Sequence, residues 1–406
     1  MRRVVVTGIG LHAPLGEDAA SLYDAVLAGR TGVVAMPAWS DIDELQSHVG
    51  APVPGFDGQH IPRKARRTMG RVALLAASAA ERAVADAGLI AADLPSERTS
   101  IVVGSTEGSS EADLEFWGHL AKERSARGLR STVFFQAMAH TCAANVALHL
   151  GIDGEVLATN SACASSNQAI GLAAHRIRYG QADVALAGGA EELHFSGAVI
   201  FDSLGVASRG YNDRPDATPR PFDAARDGIA VGEGAGIFVL EERERALARG
   251  ATILAEVVGF GTTCDAWHMS NATPRGMVAA IRRCLHDAGV EPSIIDYVNA
   301  HATGTRAGDA SEAKALYEVF GDQVPVSSSK GHIGHTLGAC GVLESAIAVQ
   351  AMHRGVLPAT RNLVEPDVAP IDLVQTPREA TATHVLKTSF AFGGVNSVLL
   401  FRHPEG

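Results

Sequence analysis

Aromatic side chains are scarce, 5% of 406 residues, and none is interleaved with basic residues as a base-stacking surface requires. The chain also lacks positive charge: its net −11 argues against bulk nucleic-acid binding. Cysteine is sparse and unpatterned. The five residues, at 142, 163, 264, 284 and 340, form no Cys-x-x-Cys pair and no disulfide-like spacing, so neither a zinc knuckle nor a disulfide scaffold is expected, and a reducing cytoplasm is the natural setting. No apolar run approaches the ~20 residues needed to span a bilayer. The opening run Met1 to Gly10 is too short, and too soon broken by His12 and Pro14, for a signal peptide; it reads as a first buried strand. Linkers rich in proline or serine, charge blocks and low-complexity tracts are missing too.

What remains is 46% hydrophobic residues with 43 glycines, the composition of an enzyme with a large core. Short Val/Ile runs alternate with longer Ala/Leu stretches. Residues 3–7, 99–103, 155–159, 183–187 and 237–240 read as strands in the first part, and 252–258, 297–299, 324–327 and 398–401 in the second. Helices are expected over 71–87, 165–179, 277–288, 310–320 and 338–353. The strands show no polar alternation, so each should be covered on both faces by helices, giving an α/β fold. Without a linker, the chain is expected to form two intimately packed halves, 1–250 and 251–406. A strand ending in small polar residues and leading into an Ala-rich helix occurs in each, at Ser161-Ala162-Cys163 and at Gly334-His335-Thr336. No fixed sequence period accompanies this hint of duplication.

Cys163 stands where the 155–159 strand joins the 165–179 helix, among residues that are small or polar. At a helix N-terminus the first-turn N–H groups favour S⁻, so a lowered thiol pKa is expected, whereas an isolated buried cysteine would be inert. Two histidine segments complement it. Val298-Asn299-Ala300-His301-Ala302-Thr303-Gly304-Thr305 opens from a strand end, before a helix carrying Asp309 and Glu312; Ser327 to Gly338 carries Lys330, His332 and His335 among glycines. A thiol with two loop imidazoles can perform acyl transfer, one group as nucleophile and two as donors to developing negative charge. The same residues could bind a metal, with His332 and His335 on one helical face and Cys163 or His301 completing the set; no carboxylate sits at matching spacing, and no metal is expected. Ser389 to Asn396 places glycines after Phe390 and Phe392 and reads as a gate or as an ordinary hairpin. Two basic clusters, Arg63, Lys64, Arg66, Arg67 and Arg71, then Lys122, Arg124, Arg127 and Arg130, are either solvated helix faces or a docking patch for a small acidic partner.

Ser161-Ala162-Cys163-Ala164-Ser165, Asn299-Ala300-His301, Lys330 with Gly334-His335, and Phe390-Ala391-Phe392-Gly393-Gly394 together resemble the beta-ketoacyl-acyl carrier protein synthases of the thiolase superfamily. The likeness extends to Gly188 to Glu192, Phe201 to Gly205, Tyr211 to Asp213 and Phe222 to Gly228, and is nearest the type I elongating synthases. It implies a thiolase-like fold of two pseudo-duplicated halves in an α-β-α-β-α layering. It implies that Cys163 takes an acyl chain from the phosphopantetheine thioester of acyl carrier protein, while His301 and His335 promote decarboxylation of the malonyl thioester. Backbone N–H groups of Cys163 and Phe392 would form the oxyanion hole. Lys330 and Glu344 would support the histidines, Thr303, Thr305, Glu107 and Phe390 would face the substrate, and Lys64, Arg66, Arg67, Arg124 and Arg127 would dock the carrier. No cofactor is implied, and a dimer is, as a homodimer or with a related ketosynthase-like subunit.

Several positions depart from the family's pattern. Ala302 and Ala391 stand where glycine is usual, Gly331-His332-Ile333 replaces a small residue, Met and Thr, and Glu107 takes a small or aliphatic position near the acyl tunnel and the dimer interface. A carboxylate beside a fatty chain would be costly unless paired. These changes point to a shorter, polar or unsaturated acyl chain, as in polyene or polyketide pathways. Two alternatives share the fold. A thiolase acting on coenzyme A esters needs a second reactive cysteine near the C-terminus, and none follows Cys340. A chain-length-determining subunit lacks the nucleophile, which is present here.

Overall fold

The computed structural model describes every residue except Pro95. Strand β1 (Val4–His12) is buried along its whole length and runs well past the expected end at Thr7. The reason lies in Gly8 and Gly10, which press against helix α1 (Arg71–Asp86). A Cβ on Gly10 would meet the Ala79 carbonyl oxygen at 2.1 Å, and one on Gly8 the Ala83 oxygen at 2.4 Å. Glycines that look like strand breakers are here the condition for close helix–sheet packing.

Strands β2 (Thr99–Gly104), β3 (Glu155–Thr159), β4 (Val184–Glu191) and β5 (Gly234–Glu242) complete the first sheet in the order β3-β2-β4-β5-β1. Only β5 runs antiparallel to its neighbours. The second sheet is built from β6 (Ala255–Cys264), β7 (Tyr297–Asn299), β8 (Pro325–Ser327), β9 (His384–Ala391) and β10 (Val395–Arg402), in the order β8-β7-β9-β10-β6. Here β10 is the antiparallel member. Apart from the two-residue strand Asp372–Leu373, which pairs outside β8, both sheets follow the same permutation of chain order, so the duplication without a sequence period is explicit in the topology. They join where β1 meets β6 through Val5↔Glu256 and Val6↔Ala255.

Helix α3 (Ser165–Arg178) follows β3, and α6 (Cys340–Arg354) follows β8; both lie between the sheets and pack into one apolar core with strands from each half. A second core forms where α1 and α2 (Thr141–Leu150) cover the outer face of the first sheet, and a third where α4 (Pro274–Ala288) and α5 (Arg306–Phe320) cover the second. The layering is α-β-α-β-α. Helix α6 is buried almost all round, which its Ala-rich, charge-poor sequence permits. Its partner α3 approaches β6 so closely that a Cβ on Gly171 would lie 2.2 Å from the Phe260 ring.

One expectation about burial fails. Strand β3, read as covered on both faces, is mostly exposed. It is the edge of the first sheet, and Val156 stands 40% exposed there.

Candidate active site

The turn between β3 and α3 is held by its own backbone. Ala164 and Ser165 donate N–H bonds to the Ser161 and Ala162 carbonyls at 3.0 Å, and the Ser165 hydroxyl donates to the Ala162 carbonyl at 2.6 Å. Ala162 is thereby forced to φ +47°, a left-handed conformation that costs a non-glycine residue on the order of 1 kcal/mol. The turn leaves Cys163 just outside the helix, one residue before the cap Ala164. The Ala164 and Ser165 N–H groups are therefore occupied by carbonyls, and the sulfur meets a different partner, His335 Nε2 at 3.0 Å.

This corrects the expected thiolate. Burial pushes the Cys163 thiol well above its ordinary range and nearby Cys340 adds to the effect, while Lys330 and the residue's own N–H pull the other way and are outweighed. Burial therefore favours the neutral thiol over the thiolate at Cys163.

His301 follows β7 and is fixed through its backbone. Its N–H faces Glu312 Oε1 at 2.9 Å and Thr388 Oγ1 at 3.0 Å, and the Ala302 N–H donates to Glu312 Oε2 at 2.7 Å. Asp309 does the same one turn earlier, accepting from Thr303 and Gly304 at 2.9 and 3.2 Å. Both acids thus turn back from the start of α5 onto the loop that precedes it. Burial pushes Asp309 up to about 7 and raises Glu312 despite these donors. Their place near the N-terminus of α5 was readable in the sequence; their function as anchors of the 301–304 backbone was not.

The side chains behind the histidines form a closed set. Lys330 Nζ donates to Glu344 Oε1 at 2.5 Å and lies 3.4 Å from His301 Nδ1. Lys387, absent from the residues expected at the site, ion-pairs with Glu344 Oε2 at 2.8 Å. All three are fully buried. Burial alone would lower the Lys330 ammonium, but Glu344 and, less strongly, Cys340 raise it, so it stays charged.

These contacts decide the imidazole tautomers. Facing an ammonium, His301 Nδ1 must accept, and His335 Nδ1 accepts the Leu337 N–H at 3.3 Å. Each ring therefore carries its proton on Nε2. Desolvation, then Lys330, holds both histidines well below the usual imidazole range, with His335 and Lys387 adding for His301 and Lys387 for His335. The result is two neutral N–H donors, ring centroids 5.2 Å apart, next to one thiol.

These groups line a cavity of about 400 Å³ together with Thr303, Thr305, Phe390 and Phe392. The Phe392 ring packs 5.8 Å from Phe201. The segment read as gate or hairpin is a hairpin geometrically, joining β9 to β10. Gly393 takes φ +82° at its turn and donates its N–H to the Met269 carbonyl at 2.7 Å, so the turn leans on a loop that also lines the cavity.

Donor atoms of Cys163, His301 and His335 lie within 4.8 Å of one another. Two buried ammoniums immediately behind the imidazoles make this a poor place for a dication. His332 takes no part: its ring nitrogens face the Arg30 and Ala359 carbonyls at 2.8 and 3.1 Å, so the proposed His332–His335 pairing is not formed.

Other expected residues lie elsewhere. Glu107 is outside the cavity lining; it accepts from Ser110 Oγ at 2.8 Å, which supplies the partner a half-buried carboxylate needs. Lys64, Arg67, Arg124 and Arg127 are exposed and Arg66 is half-buried, on the helical turn Arg63–Arg66 and just after the helix Ser110–Glu123. Arg71 leaves the first basic cluster altogether: its guanidinium forks onto Glu233 at 2.6 and 2.7 Å.

Residues 1–246 match the family described as beta-ketoacyl synthase, N-terminal domain, and residues 254–364 its C-terminal domain. Nodulation protein E of Rhizobium sp. (strain N33) is 39% identical over 99% of both chains. The 3-oxoacyl-[acyl-carrier-protein] synthase 1 of Haemophilus influenzae is 35% identical over the whole of both. A crystal structure of a beta-ketoacyl synthase from Burkholderia phymatum STM815 superposes with TM-score 0.96 at 44% identity, covering 99% of this chain and 100% of that one. By sequence along its length and by fold, this chain belongs to the beta-ketoacyl synthase family.

Proposed function

We propose that the protein is a beta-ketoacyl-acyl carrier protein synthase, an acyltransferase that extends a chain held on Cys163 with two carbons from a malonyl thioester. The observation that carries this is a thiol 3.0 Å from His335 Nε2 with a second neutral N–H donor, His301, in the same cavity. In the first half-reaction the sulfur attacks the acyl thioester carbonyl, the bond to the carrier sulfur breaks, and the thiol proton ends on the departing carrier thiol. His335 Nε2–H stabilises sulfur as its negative charge develops, which a buried thiol needs.

In the second, the malonyl C–C bond breaks, CO₂ leaves, and the electron pair moves into an enolate whose oxygen is held by the Nε2–H groups of His301 and His335. The enolate carbon attacks the acyl-cysteine. Backbone N–H groups of Cys163 and Phe392 receive the oxyanion, a contact worth about 3 kcal/mol per donor. Collapse expels the Cys163 thiolate, which takes one proton from solvent. Carrier docking falls to Lys64, Arg66, Arg67, Arg124 and Arg127, and Thr303 and Thr305, 3.0 Å apart at the cavity wall, suit the amide groups of pantetheine. The reading places the enzyme in the cytoplasm, which the five free cysteines suit.

A dimer is supported by the exposed edge β3, a strand whose outer side has no partner among the described residues and which a second copy, or a related subunit, would cover. The methyl groups of Ala302 and Ala391 narrow the site, supporting a shorter, polar or unsaturated acyl chain. Intact mass after incubation with acyl-loaded carrier protein tests the assignment: the native chain gains one acyl group and Cys163→Ala none. Acylation persisting in the variant overturns it. Elongation assays across saturated and polyunsaturated carriers test the substrate, and a preference for long saturated chains would remove that part.

A further inference from the structure

Two lysines share one carboxylate in the interior. Lys330 takes Glu344 Oε1 and Lys387 takes Oε2, and no side chain of the three reaches solvent. Burying an ammonium costs several kcal/mol unless it is compensated, so a second one beside a carboxylate already bonded at 2.5 Å calls for a reason. Lys387 also donates to the Thr388 carbonyl. The Thr388 hydroxyl in turn accepts the His301 N–H at 3.0 Å and donates to Glu312 at 2.7 Å. Lys387 therefore reaches His301 by two routes, through Glu344 and Lys330 to the ring, and through Thr388 to the backbone.

We propose that Lys387 is a positioning residue for the decarboxylation step: by occupying Glu344 Oε2 it leaves Lys330 free to face His301 Nδ1, and its charge keeps both imidazoles in the neutral Nε2–H form that points donors at the enolate. This rests on the condensing function proposed above. The ionisable groups around the triad are His301, His335, Cys163, Cys340, Glu312 and Tyr297, whose buried hydroxyl is hydrogen-bonded to Ser327. The Cys340 thiol is pushed up to about 11, chiefly by burial, and the Glu312 carboxyl is taken up by the His301 and Ala302 N–H groups and the Thr388 hydroxyl. None of these offers Lys387 a partner as near as Glu344.

A sign follows. Protonating His301 at Nδ1 would set an N–H against the Lys330 ammonium, and protonating His335 at Nδ1 would set one against the Leu337 N–H; either displaces the ring. Decarboxylation should thus fail at low pH as the imidazoles charge, and the midpoint of that acid limb should track the charge of the triad. Lys387→Met makes the triad one unit less positive and should move the limb upward by about one pH unit. Glu344→Gln makes it one unit more positive and should move it downward. The double variant Lys387→Met with Glu344→Gln restores the count and should return the midpoint close to that of the native enzyme, whatever its absolute rate.

The experiment measures CO₂ release from malonyl-carrier protein against pH for all four proteins. If Lys387→Met fails to fold, the other two variants and the native enzyme still give the order. Midpoints that coincide in folded variants, or a double variant that does not return, overturn the proposal. No CO₂ release by the native enzyme would instead overturn the condensing function itself.

Discussion

The connections β3 to α3 and β8 to α6 occupy equivalent places in the two sheets, yet one has a thiol as its single ionisable side chain and the other holds a lysine and two histidines. The first, 160–164, is five small or polar residues of which the fourth is the thiol. The second, 328–339, carries Lys330, His332 and His335, and its helix brings Glu344 inside. Duplicated topology brings two helix starts to one point; the unequal filling of those starts puts the Cys163 thiol on one side and His335 with Lys330 on the other, while His301 reaches the same cavity from the end of β7. The duplication is thus a device of position, and the chemistry comes from where the copies differ.

Breaking the first side should separate the half-reactions. Cys163→Ala should lower condensation at least about a thousandfold while CO₂ release from a malonyl thioester persists, as measured by product mass and gas evolution. Decarboxylation lost together with acylation would mean the two sides are not separable. Breaking the imidazole pair should do the reverse. His301→Ala should slow decarboxylation by about 10²-fold, the worth of one donor to an oxyanion, with Cys163 acylation changed only a few-fold.

The packing of the central helices sharpens the comparison further. Gly171→Ala, meeting the Phe260 ring at 2.2 Å, should cost about 1–3 kcal/mol by chemical denaturation. Gly341→Ala on the opposite helix, where the Asn167 backbone nitrogen is 2.9 Å away besides its Oδ1 at 2.8 Å, should cost a comparable amount because the backbone cannot swing aside. The smallest effect belongs to the surface. Lys64→Glu with Arg67→Glu should raise KM for the carrier several-fold at low salt, leave kcat near its native value, and fade as salt rises. A salt-independent change would place the carrier elsewhere.

Most strands were legible because apolar runs are local signals; β7 begins and ends where the sequence pattern puts it. β1 was cut short because Gly8 and Gly10 carry no mark distinguishing a turn from a tight contact, and only the passage of α1 beside them decides which. β3 looked buried because an edge strand and a central one share a composition. Cys163, His301 and His335 stood out as reactive types in small-residue loops. Lys387 did not, since a lysine within a strand looks like a solvent-facing residue until the neighbouring carboxylate is known.

The sequence by itself determined which side chains are available and at which strand ends they stand, because residue type and local periodicity are properties of short segments. Only the tertiary structure decided their protonation. Whether Cys163 is thiol or thiolate, and which nitrogen of His301 holds the proton, depends on desolvation and on partners distant along the chain, Lys330 at 29 residues from His301 and His335 at 172 from Cys163. Those are set by how two sheets and two buried helices close around one cavity.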